Sequence, residues 1–260
     1  MIPAAVRYVR AASLEEALGA LAEPESKVLA GGQSLLPVLK LRIARPSLLV
    51  DIGRLELSGL ERRGDELRIG ALTTWDALES AQELEEPALA ALRECAGHVG
   101  DLQVRNQGTI AGSLAHADPA SDLPAVVLAL GARLVVRSTR GEREVEADDF
   151  FRGPFTTALE EGELLTHVVV PVASGGGSAY VKVEHPASGF ALAGAAALVR
   201  GDGTRSVAVT GVGGRATLLP DDGSVADVEV YGDRFAPESY RRHLAEVVVR
   251  RAVERAEERR

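Results

Sequence analysis

Two short runs of glycine and hydroxyl residues are the chemically most suggestive features of this chain. Ala30-Gly31-Gly32-Gln33-Ser34 directly follows an apolar run, and Thr109-Ile110-Ala111-Gly112-Ser113 follows a polar approach. Glycine lets backbone N–H groups come close to an anion, and Ser or Thr hydroxyls add donors. Such a loop holds phosphate through a nest of main-chain dipoles without a metal. Two facing loops of this kind would suit a diphosphate. Taken singly, each run reads as readily as a tight turn, and neither fits the Walker pattern or the Gly-x-Gly-x-x-Gly dinucleotide fingerprint.

Other reactive types give less. The five histidines, His98, His116, His167, His185 and His243, are scattered without the spacing of a metal site. Only His116, beside an Asp-Pro turn, is a candidate neighbour of a ligand. Gly-x-Ser-x-Gly is absent, so a serine hydrolase has no support. The single cysteine, Cys95, lies in the apolar-periodic run Leu89, Leu92, Cys95, Ala96 and reads as a core residue. One thiol excludes an internal disulfide, and it excludes an iron–sulfur cluster held by this chain alone, because such clusters usually take four thiolates. A cytoplasmic location is the default expectation.

The elements that must position the two runs are partly legible. Ser13 and Glu16 form a capping box for a helix over about 14–21. Apolar runs at 28–30 and 48–52 end at glycines and predict strands. A strand over 67–72 precedes a helix around 75–80, and Pro87 opens a longer helix to about Cys95. After a polar, glycine-bearing loop, Asp122 and Pro124 open a helix to Leu130 that is apolar all round, hence buried, with Gly131 closing it. Residues 134–136 and 143–145 flank a turn and predict a hairpin, and 164–170 form a further strand. The cluster Ser174-Gly175-Gly176-Gly177-Ser178 is the best candidate boundary. Three strands near 180–184, 190–199 and 206–212 and an amphipathic helix over about 237–257 complete the pattern.

With 260 residues, 46% hydrophobic and 26% charged, the chain is globular and long enough for two modest domains. A formal charge of −9 disfavours nucleic-acid binding, which needs clustered Lys and Arg. The arginines of the last twenty residues alternate with acids and read as a solvated helix face. Apolar runs such as 125–130 and 191–199 are well short of the roughly 20 residues of a membrane span. The N-terminal residues show no export signal.

What makes the glycine runs specific is their order with a third motif, Ala117-Asp118-Pro119-Ala120-Ser121-Asp122-Leu123-Pro124. The succession Ala-Gly-Gly-x-Ser-Leu-x-Pro, Arg-Asn-x-Gly-Thr-Ile-x-Gly-Ser and Ala-Asp-Pro-x-x-Asp-Leu-Pro resembles the FAD-binding medium subunit of the xanthine dehydrogenase and aerobic carbon monoxide dehydrogenase family. The resemblance spans essentially the whole chain, including Gly162-Glu163-Leu164-Leu165 and Arg241-Arg242-His243-Leu244. It implies an α+β architecture: a two-lobed FAD-binding domain of the vanillyl-alcohol-oxidase (PCMH) type at 1–173, with lobes of about 1–53 and 54–173, and a smaller sheet-and-helix domain at 177–260.

The resemblance also implies roles. Ala30, Gly31, Gly32, Gln33 and Ser34, with Thr109, Ile110, Ala111, Gly112 and Ser113, match segments that hold the FAD diphosphate. Asp122 matches an acidic cofactor contact; repulsion from phosphate would direct it to a sugar or ribityl hydroxyl, and a helix N-cap role is equally open and does not exclude that contact. Lys182 and Phe190 match positions near the flavin ring. A solvated surface site remains the alternative for Lys182, and a core strand position for Phe190. Ala111 stands where relatives commonly have glycine, Ser113 where many have asparagine, and Phe190 where some have tyrosine.

The implied activity is electron transfer by an oxidoreductase subunit. The resemblance implies a small [2Fe-2S] partner that delivers electrons, a large molybdenum-cofactor partner, and NAD, quinone or oxygen as acceptor. No catalytic side chain and no metal site are expected in this chain. Two rivals stay open: a self-contained flavin oxidase or reductase of the same fold, and a non-catalytic subunit with a decayed cofactor site.

Overall fold

The structure is a computed structural model and describes residues 2–260. Its first layer is a parallel three-stranded sheet of β1 (Arg7–Arg10), β2 (Ser26–Leu29) and β3 (Leu48–Asp51) in the order β1-β3-β2. The middle strand is buried along its whole length, as a parallel strand covered on both faces should be. Helix α1 (Leu14–Leu21) connects β1 to β2, and α2 (Leu35–Lys40) follows β2. The predicted cap of α1 is present: Ser13 Oγ accepts from Glu16 N–H at 3.2 Å, while the Glu16 carboxylate reaches back to Ala12 N–H at 2.7 Å.

The second layer is an antiparallel five-stranded sheet. It contains β4 (Leu60–Arg63), β5 (Glu66–Gly70), β6 (Arg133–Ser138), β7 (Gly141–Glu146) and β10 (Leu164–Pro171), in the order β4-β5-β10-β6-β7. Leu67, Ile69, Leu134, Val136, Val168 and Val170 are buried and alternate with outward polar or charged side chains such as Arg68, Arg133 and His167. The predicted hairpin is β6–β7, with Gly141 in a left-handed conformation at its turn.

Helices α3 (Trp75–Ser80), α4 (Ala90–Gly97), α6 (Ile110–His116) and α7 (Leu123–Ala129) share one apolar core with this sheet, while α5 (Leu102–Gln107) buries no residue of its own. A short α8 (Ala147–Phe150) leads into a small ribbon of β8 (Phe151–Gly153) and β9 (Thr156–Thr157). All seven residues of α7 are buried, as its uniform apolarity requires. The expected polar loop before α7 is instead two short helices, so the second glycine run is not a loop but the cap and first turn of α6.

The third sheet is a meander of β11 (Gly177–Glu184), β12 (Ala191–Val199), β13 (Arg205–Thr210) and β14 (Thr217–Leu218). Helix α9 (Glu238–Arg259) lies on one face, where Leu244, Val248 and Ala252 meet Ala193, Ala195 and Ala197. The opposite face, with Ala196 and Leu198, joins the core that contains α7. Strand β12 is thus covered on both faces, and its run of alanines keeps both helices close. The Ser174–Ser178 cluster is tighter than a loose connector: a Cβ on Gly177 would lie 2.2 Å from the carbonyl oxygen of Ala256.

The arginines of α9 do not form the expected solvated face throughout. Arg241 is buried and donates to the carbonyls of Leu192 and Gly211 at 2.8 and 2.5 Å. Arg255 and Arg259 both reach Glu94 at 2.6 Å, and the other Glu94 oxygen accepts from Tyr180 N–H at 2.8 Å. This clamp ties α4, β11 and the end of α9 together.

Candidate functional site

The first glycine run lies between β2 and α2, half-buried except for exposed Gln33. Gly31 packs backbone to backbone on the chain just ahead of the second run. A Cβ there would lie 2.0 Å from the carbonyl oxygen of Gln107 and 2.9 Å from Gly108 Cα, so only glycine fits without moving main chain. Gly32 adopts φ +73°. Among the described residues no backbone acceptor meets the N–H groups of Gly31, Gly32, Gln33, Ser34 or Leu35, and the Ser34 hydroxyl makes no capping bond. Five consecutive donors without a backbone acceptor, beside a left-handed glycine, are the groups an anion nest is made of.

The second run is built differently. Thr109 is buried and caps α6, its Oγ1 accepting from Gly112 N–H at 3.2 Å. Ile110 N–H goes to Thr73 O at 3.0 Å, Ala111 N–H to Ala71 O at 3.2 Å, and Ser113 N–H to Thr109 O at 3.1 Å. Ile110 and Ala111 are core residues. Four successive N–H groups are therefore occupied inside the protein, which corrects the expectation of two equivalent nests. What this run presents outward is exposed Gly112 and half-buried Ser113, whose Oγ lies 3.0 Å from Ser121 Oγ.

The third motif joins the two halves of the molecule. Asp118 accepts from Ala120 N–H at 2.9 Å and shapes its own turn. Asp122 is buried at 6% exposure and stands at the N-cap position of α7, but its side chain makes no capping bond. Its Oδ1 accepts from Tyr180 Oη at 2.5 Å and its Oδ2 from Lys182 Nζ at 2.9 Å. Lys182 is a correction to the surface alternative: its side chain is 1% exposed, and Nζ also donates to His98 O at 3.0 Å and Gly189 O at 2.7 Å. All three ammonium protons are used.

Burial pushes the Asp122 carboxyl above its usual range, with Lys182 and Tyr180 pulling against it. Burial and the nearby Asp122 charge push the Tyr180 phenol well up. Phe190 is not the core residue its alternative reading required. It precedes β12 and is 49% exposed, and the next residue, Ala191, donates to Ala120 O at 3.4 Å. His116, the last residue of α6, packs its ring against Phe155, with centroids 5.2 Å apart and planes tilted by 55°. Cys95 is buried, as its periodic run implied.

The structure thus brings the first glycine run against the chain that enters the second, through Gly31 and Gln107, and gathers Asp122, Lys182 and Tyr180 into a buried cluster. Sequence reasoning missed Tyr180, although it shares a strand face with Lys182 two residues on. Gly108, part of the second motif, has no room for a side chain: a Cβ there would lie 2.8 Å from Trp75 Nε1.

A family profile described as "FAD binding domain in molybdopterin dehydrogenase" matches residues 4–173. This chain belongs to that family. Its cofactor is FAD, and it is an oxidoreductase subunit of the molybdenum hydroxylase group. The glyceraldehyde dehydrogenase medium chain of Sulfolobus acidocaldarius is 43% identical over 202 residues, 77% of this chain and 72% of the relative. The carbon monoxide dehydrogenase medium chain of Hydrogenophaga pseudoflava is 36% identical over 283 aligned positions, 98% of both chains. A solved carbon monoxide dehydrogenase from the same organism, one that lacks the Mo-pyranopterin moiety of its molybdenum cofactor, matches with TM-score 0.92 at 35% identity, covering 100% of this chain and 99% of that one. Among the described residues no group of three His, Cys, Asp or Glu is placed to hold a metal, and no helix is long and apolar enough to cross a membrane.

Proposed function

We propose that this chain is the electron-transferring flavoprotein subunit of a three-part molybdenum hydroxylase, working between a small [2Fe-2S] subunit and a large molybdenum-cofactor subunit. The observation that carries the reading is the nest at residues 31–35, pressed through Gly31 against the chain that enters the second glycine run. Bound FAD supplies a carrier that takes electrons singly from an iron–sulfur centre and passes them to NAD, a quinone or oxygen. With one cysteine, this chain needs its clusters supplied by another. Two of its relatives are named medium chains, which fits a place in a larger assembly.

The residues present fit the cofactor. The N–H groups of Gly31 to Leu35 offset diphosphate charge, and the Ser34 hydroxyl adds a donor. Gly112 lets the second run come close while the Ser113 hydroxyl faces it, with the Thr109 cap holding the turn and Ile110 and Ala111 as the apolar backing. Ala30 and Gln33 flank the nest. Asp122 and Lys182 stand behind the site as a brace, which keeps a carboxylate away from phosphate. Phe190 offers an exposed aromatic face for the flavin ring.

Purification from the native source tests the assignment. Co-purification with two further subunits, carrying iron and molybdenum, is the expected result. A complex free of both metals, or turnover of an organic substrate by the isolated chain, would move the assignment to a self-contained flavin enzyme.

A further inference from the structure

Residues 118–122 connect the second glycine run to the third sheet, and the sheet grips them by their carbonyls. Pro119 O accepts from Gly211 N–H at 3.0 Å and lies 3.1 Å from Thr210 Oγ1. Ser121 O lies 2.7 Å from the same hydroxyl, and Ala120 O accepts from Ala191 N–H at 3.4 Å. Thr210 is fully buried at the end of β13, where its neighbours in the strand are Val207, Ala208 and Val209. A hydroxyl placed there must be bonded, and these two carbonyls are its partners.

Ser121 faces two ways. Its carbonyl takes the Thr210 hydroxyl, and its own Oγ lies 3.0 Å from Ser113 Oγ in the first turn of α6. Arg241 fixes the supporting backbone from the far side, bonding Leu192 O and Gly211 O. A continuous polar path therefore runs from the third sheet through Ser121 to the one hydroxyl that the second glycine run leaves at its outer edge.

We infer that Thr210 is a positioning residue for the FAD site, acting through Ser121 to set Ser113. The inference rests on the reading that residues 109–113 line the cofactor. Its physical content is that valine, nearly the same shape as threonine, fills the space but leaves Ser121 O without its donor. Ser121 is then free to shift, and Ser113 with it.

The test uses the full chain stripped of FAD and titrated with FAD, in the parent and in Thr210→Val, Thr210→Ser, Ser121→Ala and Gly31→Val. The readouts are the FAD dissociation constant, the visible circular dichroism of bound flavin, and the melting temperature without FAD. Thr210→Val should raise the dissociation constant about tenfold, the scale of one lost hydrogen bond, and alter the dichroism. Thr210→Ser should restore both, and Ser121→Ala should reproduce the defect without lowering the melting temperature. Parent-like affinity and dichroism in Thr210→Val, whatever its melting temperature, would overturn the inference; if that variant fails to fold, parent-like behaviour of Ser121→Ala would do so. Loss of FAD by Gly31→Val alone would leave the cofactor reading intact and remove only the role of Thr210. Retention of FAD by Gly31→Val would remove both.

Discussion

Replacing Lys182 with methionine should be among the most damaging single changes in the molecule. The Lys182 side chain is 1% exposed and that of Asp122 7%, with 2.9 Å between Nζ and Oδ2. Methionine fills the stem but leaves a buried carboxylate with only Tyr180 to bond it, and leaves the carbonyls of His98 and Gly189 without donors. Breaking a buried pair from one side costs about 3–5 kcal/mol, a large part of a typical stability of about 5–15 kcal/mol. The double variant Lys182→Met, Asp122→Asn removes the orphan charge and should recover about 2 kcal/mol or more of that loss. Urea unfolding of the four proteins at constant slope measures the coupling directly.

The deficit should also depend on pH. Burial already raises the Asp122 carboxyl, and Lys182 is the largest opposing influence. Without it the folded value climbs further above the unfolded one, so the variant regains stability as pH falls through the folded value and the carboxyl takes a proton. A Lys182→Met cost below about 1 kcal/mol, or a double variant no better than the sum of the singles, would refute the picture of a buried, charge-paired brace.

Gly31→Val should cost about 1–3 kcal/mol as main chain retreats from a 2.0 Å approach to Gln107 O, and should abolish FAD retention on gel filtration; a yellow, fully occupied variant would contradict the nest. Burial, then the facing Arg68, holds His167 down from 6.5 to about 4, with Arg63 and Arg137 adding to the effect and Glu142 opposing it. The unfolded chain therefore takes a proton first, and the parent should lose about 1–2 kcal/mol as pH falls from 6.5 toward 4, a figure reduced for partial solvation; His167→Val should flatten that limb of the stability curve. Glu94→Ala removes the acceptor shared by Arg255, Arg259 and Tyr180 N–H, and should cost about 1–3 kcal/mol in urea, with hydrogen exchange rising first in the last turn of α9.

What the sequence made legible was what local chemistry decides. The α1 cap, the all-apolar α7 and the β6–β7 hairpin each carry their signal within a few residues. Helices α2, α5 and α6 were missed because six or seven residues give too little periodicity, and because Pro37 inside α2 and Gly112 inside α6 argue against helix. The cap of α5 was nonetheless present, since Asp101 accepts from Val104 N–H at 2.8 Å. The motifs located both glycine runs, yet could not reveal that one keeps its N–H groups free while the other donates them to Ala71 and Thr73. That difference depends on strand β5 and its exit, distant in sequence. The burial of Lys182 was equally hidden, because its partner Asp122 lies 60 positions away.

The Ala117–Pro124 motif has structural partners of its own. Its position beside the second glycine run suggested a cofactor contact. In the structure, Asp118 bonds its own turn, the carbonyls of 119–121 bond the third sheet, and Asp122 bonds Tyr180 and Lys182. Each of these groups is polar and buried or half-buried, so each must find its partner in the docked arrangement and in no slipped one. Such contacts contribute little net stability but penalise every other register of the sheet against α7. The small side chains of β12 act in the same direction, since the alanines at 193, 195, 196 and 197 let α7 and α9 approach the strand from its two faces. Substitutions at Asp118 and Asp122 should therefore change how the third sheet docks before they change any direct bond to FAD, and a fall in flavin affinity there is first a measure of that docking.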